Sequence, residues 1–159
     1  MMLDLVHYPS KILNGRAKRV IEFNDTLRDF IAEMHVTMFM NGGIGLAANQ
    51  VGDDRAIFVV FMPDTGQGYT FVNPNIVKSE GSCKMDEMCL SFPDKTVSLR
   101  RPERVIISAQ DSYGMSFTLK AEGLLARCIQ HELDHLQGIT FLDRQNEAGI
   151  KGNTNKTQK

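Results

Sequence analysis

Residues 123–137, GLLARCIQHELDHLQ, decide how this chain folds. Leu124, Leu125, Cys128, Ile129, Leu133 and Leu136 spread apolar surface over a wide arc of one helix, wider than a single surface stripe. Such a helix has to lie between layers, and Gly138 supplies its stop. The same helix carries His131, Glu132 and His135. At roughly 100° per residue, His135 falls about 40° around from His131 and one turn along, so both imidazoles can grip one cation. Glu132 lies about 60° from His135, near enough to reach a water at that cation without ligating it. Burying three such groups unsatisfied costs several kcal/mol, and a metal ion is the simplest remedy.

Upstream of this helix come short β-rich runs at residues 56–62, 69–77, 96–100, 104–110 and 116–119, each bounded by Gly, Pro, Asp or Asn. Asp111-Ser112-Tyr113-Gly114 reads as a hairpin turn. The gaps are too short for crossover helices, so mostly antiparallel sheets are expected. Further upstream, residues 24–41 place Leu27, Phe30, Ile31, Met34 and Met38 on one helical face, with Asn24 as N-cap and Gly42-Gly43 as stop. A Met and Phe stripe at that spacing is core; His35 falls off it, and His7 is read as a surface residue. The order helix, strands, helix gives an α+β domain: antiparallel sheets packed around the buried HExxH-bearing helix. That domain is expected over residues 3–144, with residues 145–159 a polar, disordered tail.

Composition narrows the function classes. The 159 residues fit one domain, and 18 basic against 19 acidic side chains leave a net charge of −1. No basic excess exists for reading nucleic acid, and no apolar run suits a membrane helix. The N-terminus lacks the pattern of a secretory signal. The odd number of cysteines (Cys83, Cys89 and Cys128) argues for free thiols in a reducing cytosol.

A catalytic metal site needs a third protein ligand and an open position. In the pattern HExxHxxGxxH, Gly138 matches but the third histidine position is Phe141. Asp143 and Glu147 follow in a connector and tail, and the cysteines remain upstream.

Three motifs now line up: Gly43–Gln50 (GIGLAANQ), Glu87–Ser91 (EMCLS) and Gln130–Leu136 (QHELDHL). In order and spacing the chain resembles peptide deformylases, whose motifs run GxGxAAxQ, EGCLS and QHExDHL. The opening LVHYPSKIL, the stretch Arg101–Val105 and the ending HLQGITFLDR fit as well, so the resemblance covers roughly residues 3–144. It implies that Cys89, His131 and His135 hold one divalent metal, Fe(II) in vivo, with Zn(II), Ni(II) or Co(II) as substitutes. It implies that Glu132 takes a proton from water and passes it to the leaving amine. Gln50 and the Leu90 backbone N–H are the implied oxyanion donors. Gly43, Ile44, Gly45, Met85, Glu87, Met88, Leu124 and Cys128 match the substrate groove, with Ile44, Met85, Leu124 and Cys128 around the methionine side chain. The implied substrate is the N-formyl-methionine of nascent peptides, handled by a monomer in a bacterial or phage-infected cytosol.

Two departures stand out. Met88 occupies the glycine position of EGCLS. The C-terminal helix that docks longer bacterial members at the ribosome has no match, so ribosome recruitment is expected to be weakened. Two other readings stay open on sequence alone. One is a closed zinc site of Cys83, Cys89, His131 and His135. The other is a homologue that binds formyl peptides or metal without turnover.

Overall fold

The computed structural model describes residues 2–147. The chain begins with a coil and one 3-10 turn, then forms helix α1, Asp25–Met40, where the Asn24 side chain accepts from the Leu27 N–H as N-cap. Strands follow as β1 (Gly45–Ala47), β2 (Ile57–Met62), β3 (Gln67–Glu80), β4 (Cys83–Cys89), β5 (Phe92–Arg101), β6 (Arg104–Gln110) and β7 (Ser116–Glu122). Helix α2, Gly123–Leu136, comes next, and residues 141–147 are again helical. All strand pairs are antiparallel, as the short gaps predict. They form a five-stranded sheet of order β1-β2-β3-β6-β7 and a separate β4-β5 hairpin.

Alternation along β2 sets the layers. Phe58, Val60 and Met62 pack on the α2 side with Phe71, Ile107, Ala126 and Ile129. Ile57 and Val59 pack on the α1 side with Leu27, Ile31, Met34 and Met38. The predicted α1 stripe is therefore core, although Phe30 is only half-buried, its ring lying against Arg55. His35 is half-buried and hydrogen-bonds Thr70 at 2.9 Å, and His7 is exposed; neither belongs to a site. On its other side α2 meets the hairpin, where Cys89, Phe92, Val97, Leu99 and Phe141 form a third cluster. The buried helix between layers, read from its apolar arc, is what the structure shows. Its stop is also as expected: Gly138 has φ 74°, and a Cβ there would lie 2.4 Å from the Asn14 carbonyl oxygen, so only glycine fits.

Several strand bounds need correction: β5 begins four residues earlier than expected, at Phe92, and β7 runs three residues further, to Glu122. Strands β1 and β4 are absent from the sequence reading; β1 has three residues, and β4 mixes charged with apolar side chains, so neither carries a strand-like composition. Strand β3 runs past Val77 to Glu80 because its ladder with β6 continues there through register shifts. A helical segment covers residues 141–147, across the boundary expected at 144, and residues 148–159 of the expected tail lie outside the described residues.

Candidate active site

Helix α2 presents His131, Glu132 and His135 toward the end of β4, where Cys89 sits. The Sγ of Cys89 and one nitrogen from each histidine all lie within 4.8 Å of one another, and all three residues are buried. Cys89 Sγ is 3.3 Å from His135 Nε2. The His131 Nδ1 is 2.8 Å from Glu87 Oε1, which fixes the proton on Nδ1 and leaves Nε2 with its lone pair. That Nε2 is buried with no hydrogen-bond partner, as is Oε1 of Glu132. Buried polar atoms are rarely left this way, and these two belong to adjacent residues of α2. A thiolate and two imidazoles are the donor set of zinc and its divalent neighbours, so the residues fit one such ion.

The electrostatics agree. Burial lowers the affinity of His131 for a proton, but the neighbouring Cys89 and Glu87 side chains and the charge of Glu132 outweigh that and push its pKa up to about 10. The surroundings thus attract a positive charge strongly at this imidazole. Burial, helped by the charges of Glu87 and Asp134, pushes Glu132 up to about 7 against the opposing charges of His131 and Arg101. His135 is lowered by burial and by the charge of His131.

Behind the ligands lies a buried ionic network. Glu87 accepts from Arg101 Nε at 2.5 Å and from its second terminal nitrogen at 2.9 Å, and from Arg127 at 2.8 Å. Burial raises the carboxyl, but the bonds from His131 and Arg101 hold it well below the usual range. Arg101 also reaches Asp134 at 2.8 Å, and Arg144 grips Asp134 through two nitrogens at 2.8 and 3.1 Å. Thus a chain of charge pairs runs from Arg144 to the imidazole of His131. The sequence reading missed Arg101, Arg127, Asp134 and Arg144. The available signal was Arg127 and Asp134 on the helix judged buried, since buried charges require partners. Arg144 is the outermost link, partly exposed, and Asp134 keeps Arg101 without it. Arg144→Ala is expected to cost about 1 kcal/mol and lower Tm by roughly 2–4 °C in a thermal melt, with metal content unchanged.

A cavity of about 510 Å³ opens onto this centre. Gly43, Ile44, Gly45, Glu87, Met88, Cys89, Leu90, Leu124, Cys128, His131 and Glu132 of the expected site all line it. A Cβ at Gly45 would lie 2.5 Å from Glu132 Oε2, so the missing side chain makes room for the carboxylate. The Cys128 thiol is pushed up to about 12 by burial and by the charges of Glu132 and Glu87, which leaves it a neutral wall group.

Three expected residues sit differently. Met85 is half-buried opposite Leu99 and does not line the cavity. Glu87 lines it, but its carboxylate is committed to Arg101, Arg127 and His131, so it holds a ligand rather than a substrate. Gln50 is fully buried behind Cys89; its Nε2 points to Cys89 Sγ at 3.4 Å and Ser91 Oγ at 3.2 Å, and its Oε1 accepts from the Ala47 N–H. The Gln50 amide thus lies directly against the sulfur of the Cys89, His131 and His135 cluster.

The closed four-ligand site is excluded by β4 itself. Cys83 and Cys89 are the two ends of that strand, on the order of 20 Å apart. Cys83→Ser is therefore expected to retain full metal content and activity, read by elemental analysis and turnover.

Comparison with known proteins agrees with this geometry. The family model for polypeptide deformylase matches residues 2–150. A peptide deformylase of Neisseria meningitidis serogroup C (strain FAM18) is 40% identical over 162 residues, covering 99% of this chain and 97% of that protein. The crystal structure of a peptide deformylase from Legionella pneumophila superposes with TM-score 0.87 at 36% identity, over 91% of this chain and 86% of the other. That of the Synechococcus elongatus enzyme in complex with actinonin gives 0.86 at 41% identity, over 89% and 78%. The chain belongs to the peptide deformylase family, metal-dependent hydrolases that remove the N-formyl group from newly made polypeptides.

Proposed function

We propose that Cys89, His131 and His135 hold a single divalent ion, Fe(II) in the cell, with Zn(II), Ni(II) or Co(II) able to replace it, and that Glu132 is the general base of formyl hydrolysis. The observation that carries this reading is the pair of unpartnered buried atoms, His131 Nε2 and Glu132 Oε1, at the floor of the cavity. A bound divalent ion supplies Lewis acidity there, polarising a carbonyl oxygen and making water more acidic.

The chain's own residues do the rest. Glu132 accepts a proton from the attacking water on its carboxylate and returns it to the departing amine. Glu87 keeps the His131 ring oriented, and Arg101 and Arg127 keep Glu87 in place. Gln50 fixes the sulfur of Cys89, and the backbone N–H of Leu90 faces the developing oxyanion. The edge Gly43-Ile44-Gly45 receives the peptide in extended form, as an added strand. Ile44 and Cys128 enclose the methionine side chain, an unbranched thioether that suits an apolar cavity, and Leu124, half-exposed, borders it at the mouth. Free Cys83, Cys89 and Cys128 and the absence, among the described residues, of any helix able to cross a membrane support work on nascent chains in a cytosol. The proposed state of the chain is a monomer, with the ribosome surface a further partner.

The test is steady-state turnover of formyl-Met-Ala-Ser by protein prepared without oxygen and loaded with Fe(II) or Ni(II). Release of formate at stoichiometric metal supports the reading. Bound metal without formate release supports the non-hydrolysing homologue instead.

A further inference from the structure

We infer that Met88, with Leu124 and Pro93, forms an apolar subsite at the cavity mouth that selects the side chain following the formyl-methionine; this rests on the function proposed above. Strand β4 alternates, with Cys83, Met85, Glu87 and Cys89 turned inward and Lys84, Asp86 and Met88 outward. An outward strand face facing water should be polar, and Lys84 and Asp86 obey that rule. Met88 does not: it is apolar and 78% exposed.

A register break explains how an outward residue reaches the mouth. Met88 pairs with Thr96, but Cys89 pairs with Phe92, so Pro93, Asp94 and Lys95 leave the ladder. Irregularities of this kind re-aim side chains beside active sites. Here Met88 and Pro93 both end on the lining of the cavity that holds Cys89 and Glu132. Leu124, in the first turn of α2, joins them and is 41% exposed. Apolar side chains from three elements are thus exposed around one opening, the usual mark of a surface meant to be covered by a ligand.

The occupant follows from the geometry of an extended peptide. Successive side chains of a strand point to opposite faces, so the methionine enters the cavity and the next residue leaves it at the mouth. A flexible thioether there favours an apolar side chain of adaptable shape. Asp86, which also lines the cavity and stands two residues from Met88 on the same face of β4, disfavours a carboxylate.

The experiment compares kcat/KM for formyl-Met-Leu-Ser and formyl-Met-Ala-Ser in the wild type, Met88→Ala and Met88→Leu. The wild type is expected to prefer the leucine peptide about tenfold, the range available to a few methylenes in an apolar site. Met88→Ala should bring that ratio close to one, and Met88→Leu should keep it. A ratio unchanged in Met88→Ala, including equal losses on both peptides, overturns the subsite. Binding of the same peptides, labelled at the C-terminus, to Glu132→Gln protein reads the ratio without turnover. Absence of hydrolysis by the wild type would thus defeat the proposed function while leaving the subsite decided by binding.

Discussion

Cys89→Ser is expected to lose both turnover and tightly held metal. Three donors meet within 4.8 Å, and Cys89 supplies the only anionic one. Serine offers a weak neutral alcohol in place of a thiolate, and a buried divalent ion then lacks charge compensation. Changing groups that merely support a ligand typically costs 10- to 100-fold in metal affinity, so removing the ligand should cost more than about 100-fold. Gln50 Nε2 would also lose its sulfur acceptor while keeping Ser91. The measurement is metal stoichiometry by elemental analysis after dialysis against a chelator, together with formate release. One equivalent of metal retained by Cys89→Ser would mean that the third ligand lies elsewhere.

The sequence reading and the structure agree where one local pattern settles the matter. The wide apolar arc of α2 placed it between layers, and the i, i+4 histidines fall, with Cys89, in a buried group that fits one divalent ion. The stripe and Asn24 cap gave α1 nearly to the residue. What stayed hidden depends on partners distant in sequence. Strand β4 has no strand-like composition because its residues answer to the site: Glu87 and Cys89 face inward for chemistry, not for apolar packing. The network of Arg101, Arg127, Asp134 and Arg144 spans three elements, and no spacing rule connects them. The roles expected of Gln50 and Glu87 came from the family resemblance. The structure shows Gln50 bonded to Ala47, Cys89 and Ser91 and Glu87 bonded to His131, Arg101 and Arg127, and only the two arginines lie outside the three motifs.

Glu132→Gln is the variant that separates binding from chemistry. The carboxylate is buried beside His131, yet it is not among the clustered donors, and its Oε1 has no partner. Glutamine keeps the shape, so the close space left by Gly45 remains filled and the metal ligands remain where they are. The ion should be retained at one equivalent. Folding stability should hold or rise slightly, because a buried carboxylate gives way to a neutral amide. What disappears is the basic oxygen. Burial raises Glu132 above the ordinary carboxylate range, and a more basic carboxylate takes up a proton more readily. Removing it should lower kcat by about 10²–10⁴ while KM changes little, since the carboxylate acts on the transferring proton and not on the resting substrate. Steady-state kinetics on formyl-Met-Ala-Ser at matched metal content measure both quantities. A metal-loaded Glu132→Gln protein within tenfold of wild-type kcat would assign the proton transfer to another group and reduce Glu132 to a structural residue of the cavity floor.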